Sequence, residues 1–379
     1  MTAGNRRQRM HAARPTVDAL EARELLSGVT APHSETIALK ATAHHGVPTL
    51  VQLSTAATRS TSTVPANGDV NPYGVTFIPN GFARGGVLQA GDVLVSNFNS
   101  SANLQGTGTT IMRVTPGGQS SVFYQGPPGV GLSTALEVLR AGYVIVGALP
   151  SIDGTSATAG QGSLLVLDRK GAVVANFTDA ALLNGPWDMT LHDGGDRAQI
   201  FVSGVLSGTV SRFDVRISPS GGFHIGRSVQ IASGYTHRGD AAAFELGPTG
   251  LAFDSKTGVL YVASTADNAV YAVRNAGSSR SDHGPGSVIY SDAAHLHGPL
   301  GLTFASDGNL ITANGDAVNS DPNNTSTLVE FTRRGKFVAQ FSLSTSAGGA
   351  FGVATSRDGK RFAAVNDITN SVQVWHVHA

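Results

Sequence analysis

Six copies of one strand pattern constrain the fold of this 379-residue chain more than any other feature. The clearest copy is the stretch 247–273, GPTGLAFDSKTGVLYVASTADNAVYAV. Leu251 and Phe253, then Leu260 and Val262, are apolar at every second position on either side of the turn cluster SKTG, as in a hairpin with a buried face. The openings NPYGVTF (71–77), TALEVLR (134–140), GPWDMTL (185–191), GPTGLAF (247–253), GPLGLTF (298–304) and AFGVATS (350–356) each begin such a unit. Aligned on Gly74, Ala135, Asp188, Gly250, Gly301 and Gly352, they lie 61, 53, 62, 51 and 51 residues apart. A second and a third strand follow each opening, and a fourth (SVFYQ, AVVANF, SVQIAS, SVIYS, FVAQFS) follows in five units. A four-stranded sheet of this size buries both faces only against copies of itself, so the pattern predicts an all-β chain folded as a six-bladed β-propeller.

The sixth unit reaches Ala379 after its third strand, SVQVWH, and an open sheet edge invites aggregation. The strand-like stretch VPTLVQLS (47–54) is expected to fill the gap, closing the ring between N- and C-terminal strands. The expected organisation is a basic N-terminal segment at 1–30, a linker at 31–70 containing the closing strand, and the propeller at 71–379.

Composition narrows the partners. Lys and Arg number 26 and so do Asp and Glu, so no net field favours nucleic acid or an anionic surface. Without cysteine there are no disulfides, thiolate metal sites or cysteine nucleophile. No apolar run is long enough for a transmembrane helix. GxSxG, HExxH and Walker patterns are absent. Charged residues make up 14% of the chain against roughly 25% in an average domain, which leaves Ser, Thr, Asn and Gly to form the wet surface.

Two resemblances follow from these residues. The repeat units, YVASTADNAVYAV (261–273) above all, resemble NHL-type six-bladed propellers and the related SMP-30/gluconolactonase-like group over about 47–379. The wording LEARELLS (20–27), behind Arg6, Arg7, Arg9 and Arg14, resembles the LExRxLLS segment near the N-termini of exported planctomycete proteins. The second resemblance implies a bacterial protein exported to the cell surface or the medium. The first implies either a binding or surface-associated module or a metal-dependent lactonase-like hydrolase or lyase, and it leaves open whether the chain is an enzyme. Lactonase-like members hold a divalent cation with Asn, Asp and Glu, several of them just before the glycine that opens a blade. Here those positions carry Tyr73, Trp187, Thr249, Leu300 and Phe351, a set poor in the oxygen donors that a hard cation needs.

The candidate site lies at the second-strand ends, where ring symmetry places Asn97, Ala148, Gly204, Ser264, Asn314 and Asn366 around one mouth of the channel. Asn97, Asn314 and Asn366, with Asp316 and Asp367 beside them, come from blades that adjoin in a closed ring. They are expected to hold a cation such as calcium or a polyhydroxylated ligand, opposite Tyr73, Trp187 and Phe351 as a stacking wall. The expected partner is a small molecule, glycan or protein, and the expected state is monomeric. Two further patterns are weaker. Asn319 to Asn324 with Glu330 echoes a calcium loop but lacks its glycine, and His295-Leu296-His297 is half of a metal site.

Overall fold

A computed structural model describes residues 46–56, 58–218 and 222–378, so the expected export segment at 1–30 lies outside the described residues. Six four-stranded antiparallel sheets carry the fold, each running outward from its first strand to its fourth. The first five blades open at Val70–Phe77, Leu132–Leu139, Pro186–Asp193, Pro248–Asp254 and Pro299–Phe304, and each takes its four strands in sequence order. The sixth comprises Ala350–Thr355, Arg361–Asn366 and Ser371–His376, with an outer strand from the other end of the chain.

That outer strand is Thr58–Ser62, which pairs antiparallel with Ser371–His376 from Thr58 opposite Trp375 to Ser62 opposite Ser371. The ring is therefore closed between terminal strands, but not by the segment expected to do so. Within 47–54 the chain forms a short helix, Thr49–Leu53, instead of a strand. Leu50 and Leu53 are buried with Ile311, Phe362 and Trp375 in the layer between the fifth and sixth blades. Glu330 accepts a hydrogen bond from the Leu50 backbone N–H at 2.9 Å and another from the Asn309 amide at 3.0 Å. Leu50 and Leu53, three residues apart, share the face of one helical turn that packs on the sheets, while Val47 and Val51 are exposed, a spacing that suits a helix better than an alternating strand.

Apolar layers fill the spaces between blades, as with Leu94, Val138 and Val146 between the first and second. Each blade's innermost strand slips in register against the second, between Pro72 and Val75 in the first blade and between Ala350 and Val353 in the sixth. The slip spans the residue on which the repeats align. At Gly352 a Cβ would collide with the Tyr73 carbonyl, and at Gly301 it would meet the Phe351 carbonyl at 2.5 Å, so glycine lets adjacent inner strands approach around the axis. Between the third and fourth blades a two-stranded hairpin, Arg238–Asp240 with Phe244–Leu246, accounts for one of the long repeat spacings.

Candidate functional site at the channel mouth

The channel is blocked at one end by a ring cluster. Tyr73, Phe98, Trp187, Phe244 and Leu300 are all buried and pack together, with Phe351 half-buried at their edge. Tyr73 stacks on Phe351 with ring centres 5.0 Å apart and meets Trp187 edge-on at 5.8 Å. The indole N–H of Trp187 donates to the Tyr73 hydroxyl at 3.0 Å, and burial drives the Tyr73 phenol well above its ordinary range. These rings were expected to form a wall facing a ligand. They instead stack on one another as a floor, and Phe351 is the ring left partly open.

Below the floor runs the channel, a polar cavity of about 170 Å³ whose lining includes Thr76, Glu137, Asp188, Thr190, Thr355 and Arg357. Burial raises the Glu137 carboxyl to about 7 and holds that of Asp188 well above the usual carboxylate range. Thr76 and the backbone N–H of Val138 donate to Glu137, each at 3.3 Å, and the Met189 N–H donates to Asp188 at 2.7 Å.

Above the floor lies a mouth of about 380 Å³. Tyr73, Trp187, Asp316 and Asp367 line it, together with Asn71, Asn99, Gln105 and Glu245. With Phe351, also in the lining, five of the eight residues expected at the site are thus brought together. Asn97, Asn314 and Asn366 are not among the lining residues. All three are buried, and their amide N–H groups are spent on backbone carbonyls and threonine hydroxyls. Asn97 donates to the Thr63 carbonyl and the Thr110 hydroxyl. Asn314 donates to the His295 carbonyl and to Thr327 while accepting from the His297 N–H. Asn366 donates to the Leu343 carbonyl and accepts from the Thr369 N–H. Their symmetric placement was read correctly, since they pair with Pro72, Pro299 and Ala350 of the inner strands. Their radius was not. A second strand stands one strand spacing, about 4.8 Å, outside the first, so these side chains clasp the segment entering the blade instead of facing the axis.

Residues just beyond the second strands reach the mouth. Asp316 accepts at Oδ2 from the backbone N–H groups of Ser326 and Gly348, at 2.7 and 3.0 Å, while its Oδ1 is buried without a partner. The Oδ1 atoms of Asn71 and Asn99 are likewise buried and unpartnered. No side chain among the described residues donates to the Asp367 carboxylate, and burial alone raises it to about 6. Glu245, at the base of the hairpin, accepts from the Ser156 hydroxyl and is also raised by burial. Sequence reading missed Glu245 and Asn71; the extra residues in the 62-residue spacing were the available signal for Glu245.

The two weaker patterns do not assemble. His295 bonds Asp292 at 2.6 Å and stacks on Phe337, whereas buried His297 meets the Asn319 carbonyl through Nδ1. Glu330 is held by the helix and Asn309, and Asp321 accepts from the Asn323 N–H and the Asn324 amide of its own turn. Among the described residues no three His, Asp or Glu side chains gather to hold a metal ion. Of the positions just before the blade-opening residues, Tyr73, Trp187, Leu300 and Phe351 are packed in or against the ring floor and the buried Thr249 hydroxyl donates to the Pro299 carbonyl, so these positions do not supply the oxygen donors that lactonase-like propellers present there.

No protein-family description and no curated protein matches the sequence. Solved structures do. A gluconolactonase from Xanthomonas campestris superposes with a TM-score of 0.55 at 13% identity, over 88% of this chain and 95% of that one. A protein described as a gluconolactonase gives 0.51 at 15% identity, over 87% and 98%. A Thermus thermophilus protein described as an oxidoreductase of the glucose dehydrogenase type gives 0.52 at 14% identity, over 85% and 100%. Across nearly the whole length of these proteins, what this chain shares with them is the six-bladed β-propeller fold.

Proposed function

We propose that the chain is an exported, non-catalytic binding propeller that takes a small ligand at the mouth above the ring floor. One observation carries this reading: Asn71, Asn99 and Asp316, each with a buried oxygen lacking a protein partner, and the Asp367 carboxylate belong to the lining of an aromatic-floored cavity sized for a small molecule. Export rests on the N-terminal wording alone, and a reporter fused to residues 1–30 in a planctomycete host would leave the cytoplasm. A screen of ring-bearing amines, alcohols and sugars by calorimetry, repeated on Phe351→Ala, tests the mouth. Binding that survives Phe351→Ala unchanged would place the ligand elsewhere.

The alternative is a lactonase-like hydrolase or lyase. It is supported by the shared fold and by Asp367, a carboxylate raised to about 6 that sits in the mouth with the range of a general base. A lactone and ester screen with and without added divalent cations decides between them, since turnover lost in Asp367→Asn would favour the enzyme.

A further inference from the structure

The acceptors at the mouth are matched to one kind of donor, and we infer that the ligand is a primary ammonium carried on a ring-bearing or otherwise apolar body. This inference rests on the mouth being the ligand site. Asn99, one of the lining residues, is 2% exposed and its Oδ1 has no hydrogen bond, and the Oδ1 atoms of the lining residues Asn71 and Asp316 are also buried without partners. A buried acceptor left empty costs about 1–3 kcal/mol, so three of them beside the Asp367 carboxylate call for a ligand rich in N–H or O–H donors.

Charge decides which. Asp316, Asp367 and Glu245 line the mouth, and among the described residues no Lys, Arg or His does. A neutral polyol would leave these carboxylates uncompensated in a half-buried site, whereas an ammonium supplies three donors and a positive charge together. A bare metal ion supplies charge, but it wants six or more oxygens, and much of this lining is Ala, Leu and ring carbon. Phe351, half-buried over Tyr73, offers the face on which the apolar body rests.

The test is calorimetric titration of the full chain with 2-phenylethylamine, with its neutral counterpart 2-phenylethanol, and with calcium chloride alone. The amine binds, and the alcohol binds at least about tenfold more weakly, the range of one charge-assisted hydrogen bond. Asp367→Asn removes a charge from a carboxylate without protein partners; it does not lower the unfolding transition, and it weakens the amine by about tenfold. Amine affinity also falls as pH drops through about 6, where Asp367 takes up its proton, and this dependence is weaker in the variant, where Glu245, raised by burial with His237 beside it, still titrates at the mouth. Equal affinity for amine and alcohol, or amine binding untouched by Asp367→Asn, overturns the ammonium inference. If that binding is lost in Phe351→Ala, the mouth still stands as the site. Calcium bound alone in a manner abolished by Asp367→Asn overturns the inference in favour of a metal, and silence from all three probes overturns it together with the mouth reading.

Discussion

The Trp187 indole N–H donates to the Tyr73 hydroxyl across 3.0 Å, joining the inner strands of the third and first blades over the channel axis. Both residues are buried, so each polar atom depends on the other. This bond, with the edge-on ring contact, fixes the floor that separates the mouth from the polar channel.

Tyr73→Phe removes the acceptor and strands the indole N–H in an apolar cluster. The expected loss is about 1–3 kcal/mol of unfolding free energy, read from denaturant titration. Adding Trp187→Phe in that background costs less than it does in the unaltered chain, because the stranded donor disappears with it.

Closure is tested by where the chain starts. Relative to a chain beginning at Gly46, one beginning at Thr58 lacks the helix and loses the burial of Leu50 and Leu53, roughly 1.5–3 kcal/mol each. A chain beginning at Val64 also lacks Thr58–Ser62 and leaves Ser371–His376 as an open edge. Light scattering during refolding should rise sharply only for the second truncation.

Glu137 makes stability depend on pH. Its carboxyl titrates near 7 in the fold against 4.5 when unperturbed, because burial disfavours the charge, so the native state holds the proton more tightly than the unfolded state does. The resulting stability is fully present below about 4.5 and is lost as pH rises through about 7. Glu137→Gln flattens this slope, and at pH near 8 it unfolds at higher denaturant than the unaltered chain, by an amount of order 3 kcal/mol at most.

Asn314→Ala separates scaffold from site. It leaves the His297 N–H and the His295 carbonyl without their buried partner, and the expected cost is about 2–4 kcal/mol in unfolding experiments. Ligand affinity at the mouth is unchanged wherever the variant is folded, in contrast to Asp367→Asn, which spares stability and alters binding.

The six blades, their strand order and the symmetric second-strand ends were legible in the sequence because they rest on local signals. Period-two alternation, as in Leu251 and Phe253, and turn clusters such as SKTG set each strand where it stands, whatever lies across the ring. The closing strand was not legible. Thr58–Ser62, TRSTS, has no apolar residue because an outermost strand needs only backbone pairing and a mostly exposed side-chain row, while the apolar 47–54 next to it read as the strand and packs as a helix. The site was half legible for a related reason. Asn97, Asn314 and Asn366 advertise polar chemistry, but whether an amide is free or spent depends on the Thr63, His295 and Leu343 carbonyls, brought to it only when the blades assemble. Asp316 and Asp367 differ from them by one or two places in sequence. Those places carry the chain past the second strand and over the inner one, and tertiary packing then leaves carboxylate oxygens of both at the mouth without a protein donor.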